Sequence, residues 1–105
     1  MGKIIYADHS ATTYVKDEVI KEMLPFFTLN YGNPSSAYSI GRASKEAVEK
    51  ARIKVAKAIG AESNEIYFTA GGSESDNMII KGIARANKTK GKHIITTKIE
   101  HLAVL

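Results

Sequence analysis

Two short stretches hold the residue types that could do chemistry. In Ile66-Tyr-Phe-Thr-Ala-Gly-Gly-Ser-Glu-Ser-Asp-Asn77 an apolar run meets Gly71 and Gly72, and Ser73 then opens a polar helical start. A helix beginning there leaves backbone N–H groups without intrahelical acceptors, and the helix dipole adds partial positive charge, so the turn suits an anion such as a phosphate. Glycine permits positive φ and a close ligand approach, while Ser73 has a hydroxyl that could cap the helix or donate to a phosphate oxygen. The same spacing also suits a plain strand-to-helix turn. The second stretch is Glu100-His101, just past the apolar run His93–Thr97. Ligands of open α/β sheets gather at the carboxyl ends of strands, so His101 could share a crevice with Ser73. Its imidazole could stack on a planar ring or move protons near neutral pH; a solitary histidine there can equally be structural.

Several other chemistries are excluded by spacing. No Gly-Lys-Ser/Thr follows the glycines, so the turn is not a Walker loop. The dinucleotide pattern G-x-G-x-x-G is absent, and Ser75 stands where a nucleophile elbow around Ser73 would need glycine. No histidine pair has metal-ligand spacing, so no metal is expected. With no cysteine in 105 residues, disulfides, thiolate metal sites and a cysteine nucleophile are absent from this stretch.

The elements that must position these groups follow from periodicity. Lys3–Tyr6 reads as a short strand or extended arm before the polar loop Asp8–Thr13. Lys16–Phe27 has apolar residues at Val19, Ile20, Met23, Leu24 and Phe27, a helical pattern, and is followed by the turn-rich loop Asn30–Ser36. A long helix is expected from Ser39 or Ile40 to Ile59, its inward stripe being Ala43, Ala47, Val48, Ala51, Val55, Ala58 and Ile59, with Gly60 as its C-terminal cap. Glu65–Thr69 and His93–Thr97 read as β runs around a helix from Ser73 to about Asn87, and another helix is expected from Glu100. The order β, α, β, α predicts an α/β architecture with parallel strands flanked by helices. Two parallel strands cannot satisfy a sheet or cover its faces, so the segment is expected to be incomplete as a domain, the front of a longer chain.

Composition sets the bounds. Hydrophobic content of 44% and charged content of 25% are those of an ordinary globular protein. The net charge is +4, but the lysines are scattered and no aromatic platform lies among them, so a solvated surface is expected rather than a nucleic-acid groove. No apolar run approaches the ~20 residues of a membrane span, and the N-terminus has neither a signal core nor a myristoylation pattern, Tyr6 standing where Ser or Thr is needed. A cytoplasmic location, with no membrane and no nucleic-acid partner, is the expectation.

Together, the segments Tyr6–Thr13, Tyr31–Ser36, Glu65–Asn77, Ile79–Gly82 and Gly91–His101 with Ala103-Val104 resemble, in order and over nearly the whole chain, the pyridoxal-phosphate-dependent cysteine desulfurases of the class-V aminotransferase group, type I fold. The resemblance implies residues 1–15 as an N-terminal arm and small-domain segment, and 16–105 as the beginning of the large, cofactor-binding domain. It implies pyridoxal 5′-phosphate as cofactor, with Gly71, Gly72 and Ser73 at its phosphate and His101 stacked on its ring as a candidate proton carrier. The loops with Ala11 and Asn33 would lie near the substrate. The implied reaction takes sulfur from L-cysteine as a protein-bound persulfide, leaves L-alanine, and passes the sulfur to an acceptor or scaffold protein, commonly for iron–sulfur cluster assembly. The implied parent is a homodimer.

The sequence departs from the family pattern in three places. Gly72-Ser73 replaces Ala-Thr, keeping the hydroxyl; Ala7-Asp8-His9 replaces Leu-Asp-Asn or Leu-Asp-Tyr; and Leu102 replaces a lysine. The family's Schiff-base lysine, the aspartate at the pyridine nitrogen, the arginine for the substrate carboxylate and the sulfur-accepting cysteine would all lie beyond residue 105. Residues 1–105 alone are therefore expected to be inactive. Selenocysteine lyase or another class-V enzyme, and a non-catalytic truncated or split-gene module, are the alternatives.

Overall fold

A computed structural model describes residues 4–105 and divides them into two compact units, one ending at Ser63 and one spanning Asn64–Leu105. Met1, Gly2 and Lys3 lie outside the described residues, and with them the start of the expected arm.

In the first unit the expected helix over residues 16–27 is two helices, α1 (Asp17–Met23) and α2 (Pro25–Thr28). Pro25 is the reason: it has no N–H to donate and sits comfortably only in a helix's first turn. Leu24 closes α1 by donating to Ile20 O at 2.9 Å. Asp17 and Glu18 occupy the first turn, where the dipole favours acids.

Helix α3 (Ser39–Ile59) forms as expected and ends on Gly60 in the left-handed conformation, φ 71°. Gly60 and Ala61 both donate to Ala56 O, the latter at 2.9 Å, which satisfies a carbonyl that the helix leaves open. The face that packs differs from the alanine stripe expected. The buried residues of α3 are Gly41, Ser44 and Ala56; the first two are covered because the first turns of α3 press on the loop before it. Ala43, Ala47, Val48 and Ala51 instead line a hollow of about 930 Å3, with Val19, Met23 and Phe26 opposite.

The loop contact is close. A methyl group on Gly41 would lie 2.6 Å from both Asn33 O and Ser36 O, and one on Gly32 would collide with the Ile40 carbonyl. Ser44 Oγ donates to Asn30 O at 2.9 Å, and Asn33 Oδ1 accepts from the Ser35 N–H at 2.9 Å.

A 3-10 turn (Ser63–Glu65) spans the boundary between the units, and the second unit holds α4 (Gly72–Ala86). Neither Glu65–Thr69 nor His93–Thr97 belongs to a β ladder, and no ladder forms among the described residues. A strand exists only through hydrogen bonds to neighbours, and the two runs do not supply them to each other. The helix expected from Glu100 is a single turn at 102–104, with Val104 N–H donating to His101 O at 2.8 Å.

Ala56 is the one buried apolar side chain among the described residues, whereas Ile95 and Ile99 are 88% and 93% exposed. Side chains of strand type are thus present without the sheet that would cover them, as expected of an incomplete domain.

Candidate functional site

The turn from Thr69 to Ser75 is held by side chains on one edge and left open on the other. Gly71 is the N-cap of α4, in extended backbone with φ 170° and ψ 175°, and no side chain caps the helix. The positive φ expected of Gly71 and Gly72 is not used: Gly60 alone adopts it among the described residues. What the two glycines contribute is room, since a Cβ on either would meet nothing within 4 Å.

Three interactions fix the turn's shape. Thr69 Oγ1 lies 2.7 Å from Ser75 Oγ and 3.1 Å from Gly71 O. Glu74 reaches back so that its Oε2 accepts from the Ala70 N–H at 2.7 Å, close to the reciprocal arrangement of a capping box. Ser75 N–H, donating to Gly71 O at 3.2 Å, begins the helical ladder. The N–H groups of Gly72, Ser73 and Glu74 precede that ladder and are the orphan donors of the first turn.

Ser73 does not cap the helix as expected. It stands one residue inside α4, because the cap position belongs to Gly71. Its hydroxyl has no hydrogen bond among the described residues, and only its carbonyl is used. Three peptide donors and a hydroxyl without partners among the described residues thus lie on consecutive residues of an exposed glycine turn, a donor set of the kind an oxyanion with several acceptor oxygens takes. From Thr69 to Asn77 the charged side chains are Glu74 and Asp76, so this segment offers an anion backbone dipoles and no cation of its own.

His101 is tied to this turn. Asn77 Nδ2 donates to Ser73 O at 2.9 Å and to Ala103 O at 3.1 Å, and the Ala103 N–H donates to His101 Nδ1 at 3.1 Å. A short chain of hydrogen bonds thus runs from the residue of the open hydroxyl to the imidazole. Because Nδ1 accepts, the proton of the neutral ring is on Nε2.

The structure thus brings Gly71, Gly72, Ser73 and His101 into one unit. Ala11 and Asn33 belong to the other. There, Ala11 N–H closes a turn onto Asp8 O at 3.2 Å, and Asn33 O accepts from the Ser36 N–H at 3.0 Å. Two hollows are lined by neither Ser73 nor His101: the one beside α3 and one of about 860 Å3 between Ile79, Ile83 and Ile94. Both are uncovered apolar faces, and convergent donors are the better guide to a polar ligand.

Thr69, Glu74, Ser75 and Asn77 were not singled out by the sequence reasoning. A signal existed for Glu74, three residues after the cap glycine. For Asn77 there was only its place one turn after Ser73. No group of His, Asp or Glu side chains among the described residues could hold a metal ion, and no helix among them is long and apolar enough to cross a membrane.

Comparison with known proteins supplies a second line of observation. A family model described as "Aminotransferase class-V" matches residues 5–105. The "Cysteine desulfurase IscS" of Clostridium botulinum strain Hall is 66% identical over 105 residues, which are 100% of this chain and 26% of that protein. The protein of the same name from Methanosarcina thermophila is 64% identical over 104 residues, 99% of this chain and 26% of its own length. Among solved structures a "NIFS-LIKE PROTEIN" matches with a TM-score of 0.83 and 46% identity, covering 92% of this chain and 27% of that one. The chain spans about a quarter of the length of the curated relatives it matches.

Proposed function

The chain belongs to the aminotransferase class-V family, and from that premise we propose that it is the segment of a pyridoxal-phosphate-dependent cysteine desulfurase that grips the cofactor's phosphate and covers its ring. The observation that carries this reading is the open turn at Gly71–Ser73, joined through Asn77 and Ala103 to His101. Kinship with proteins named cysteine desulfurase over the whole chain supports the choice of reaction.

The phosphate would be held by the N–H groups of Gly72, Ser73 and Glu74 and by the Ser73 hydroxyl, with Gly71 and Gly72 leaving space for it. His101 would lie against the pyridine ring, its proton carried at Nε2. When bound, pyridoxal phosphate supplies an electron sink at the substrate Cα. The chain's own contribution is orientation and electrostatics. The loops with Ala11 and Asn33 would wall the substrate side, residues 1–15 would belong to the arm and small domain, and residues 16–105 would open the large domain. The substrate is L-cysteine, the product L-alanine with a protein-bound persulfide, and the partners a second copy of the enzyme and a cytoplasmic sulfur acceptor, commonly one serving iron–sulfur cluster assembly.

The test uses the full-length protein. Ser73→Ala should weaken cofactor retention by about 1–2 kcal/mol, the value of one charge-assisted hydrogen bond, measured by the visible absorption of bound pyridoxal phosphate during dialysis. His101→Gln should slow alanine release from cysteine more than it weakens cofactor binding. Unchanged retention in the first variant, or the reverse pattern in the second, would remove the assigned role.

A further inference from the structure

We propose that Asn77 is a positioning residue, one that sets the orientation and tautomer of His101 by holding the Ala103 peptide against α4. The inference rests on the reading above, in which His101 stacks on the cofactor ring and Ser73 takes its phosphate.

The geometry is specific to this side chain. An amide group carries two N–H donors, and Asn77 directs Nδ2 to two carbonyls, Ser73 O at 2.9 Å and Ala103 O at 3.1 Å, the second bond spanning 26 residues. Ala103 is then used at both ends, its carbonyl accepting from Asn77 and its N–H donating to His101 Nδ1 at 3.1 Å. The two bonds lie on the two peptide groups that flank the Ala103 Cα, so a shift of that residue away from α4 would loosen both. With them in place Nδ1 is an acceptor and Nε2 carries the ring proton. The bond from Asn77 to Ala103 is part-buried, which strengthens it relative to a water-exposed one, whereas the bond to His101 Nδ1 is exposed and depends on Ala103 being held.

The chain contains its own control. Asn87 lies near the other end of the same helix, and its Nδ2 donates to Ile83 O at 2.9 Å. That is the same local back-bond, four residues back, that Asn77 makes to Ser73. No second acceptor of Asn87 Nδ2 occurs among the described residues. The local bond alone is thus an ordinary habit of helical asparagine, and the reach to Ala103 is what distinguishes Asn77.

Aspartate is nearly isosteric with asparagine but, when ionised, only accepts, so Asn77→Asp would set a carboxylate against two carbonyl oxygens. In the full-length enzyme this variant should lower kcat about fivefold to tenfold, the scale of one lost hydrogen bond, while the dissociation constant for pyridoxal phosphate moves much less. In the cofactor-free protein, 15N NMR of the histidine rings, with His101 identified by its loss in His101→Gln, should show Nδ1 as a hydrogen-bonded acceptor in the parent sequence and a mixture of tautomers in Asn77→Asp. Visible circular dichroism of the bound cofactor should change in the same variant, and Asn87→Asp should leave all three readouts at parent values. Asn77→Ala, which lacks both donors but favours helix, should reproduce the NMR change should the aspartate variant fail to fold.

Finding the proton on Nδ1 in the parent protein overturns the proposal without any variant. So does an Asn77→Asp or Asn77→Ala protein whose readouts match those of Asn87→Asp while Ser73→Ala and His101→Gln behave as expected; the site reading then stands and only Asn77's role is lost. If instead Ser73→Ala and His101→Gln leave cofactor retention and turnover unchanged, the site reading fails and this proposal falls with it.

Discussion

At Gly32 and Gly41 an added methyl group would run into backbone, and at Gly71 and Gly72 it would stand in open space. The first pair lets a loop and a helix come together. There Ser44 reaches Asn30, the Asn33 side chain closes a turn on Ser35, and the backbone polar groups find partners within the protein. The second pair lies where the chain turns into α4 without a side-chain cap, on exposed residues. Glycine alone therefore says little. What matters is whether the protein itself fills the space that glycine leaves: at Gly32 and Gly41 it does, and at Gly71 and Gly72 it does not.

The sharpest way to break that contrast is to fill both spaces. Gly41→Ala should destabilise the full-length protein by about 1–3 kcal/mol, the usual cost of forcing atoms into a packed contact, read as a lowered urea midpoint. The clash would be with the Asn33 and Ser36 carbonyls, which are backbone and cannot rotate away as a flexible side chain could. A midpoint equal to that of the parent would mean the loop is not pressed on α3 as described.

Gly72→Ala should go the other way and by less. Gly72 begins α4, where alanine loses less chain entropy than glycine, so stability should rise by about 0.5 kcal/mol. Cofactor retention should persist, because the family pattern itself has alanine at this position. A fall in stability would show that the turn is closed in the full-length protein and would end its claim to be open.

The same contrast explains what could be read from residues alone. Helix α3 was legible to its last residue, since Gly60 marks a stop that the alanine-rich run before it makes plain. The turn into α4 was legible because glycine, glycine and a hydroxyl residue before acidic ones form a local signal of a helix start. The break at Pro25 was equally local, and its signal was in the sequence: an imino acid inside a helical period. Other features depend on groups distant along the chain. The runs Glu65–Thr69 and His93–Thr97 have strand-type residues, but a ladder needs neighbours that these residues do not name. Alanines on one face, Ala43, Ala47 and Ala51, suggest close approach to another element, yet in the structure those residues line a hollow. Asn77 is the clearest case, since nothing in its neighbours announces a bond to Ala103.

The smallest expected effect sharpens the comparison most, because stability and binding should change in opposite directions. Glu74 holds the Ala70 N–H through Oε2 and sits in the first turn of α4, where a negative charge is favourable. Glu74→Gln keeps an oxygen for that N–H and removes only the charge. Stability should drop by about 0.3 kcal/mol, the low end for an exposed charge at a helix start. Binding of pyridoxal phosphate, and of inorganic phosphate used as a probe of the turn alone, should tighten, since a carboxylate beside a dianion repels it. The gain should shrink as salt is raised, because exposed charges are screened within about 10 Å at 0.1 M ionic strength. Isothermal titration at two salt concentrations measures it. Were this turn a packing site like the one at Gly41, phosphate affinity would not respond to Glu74 at all, so a flat titration across both proteins and both salts would place the anion elsewhere.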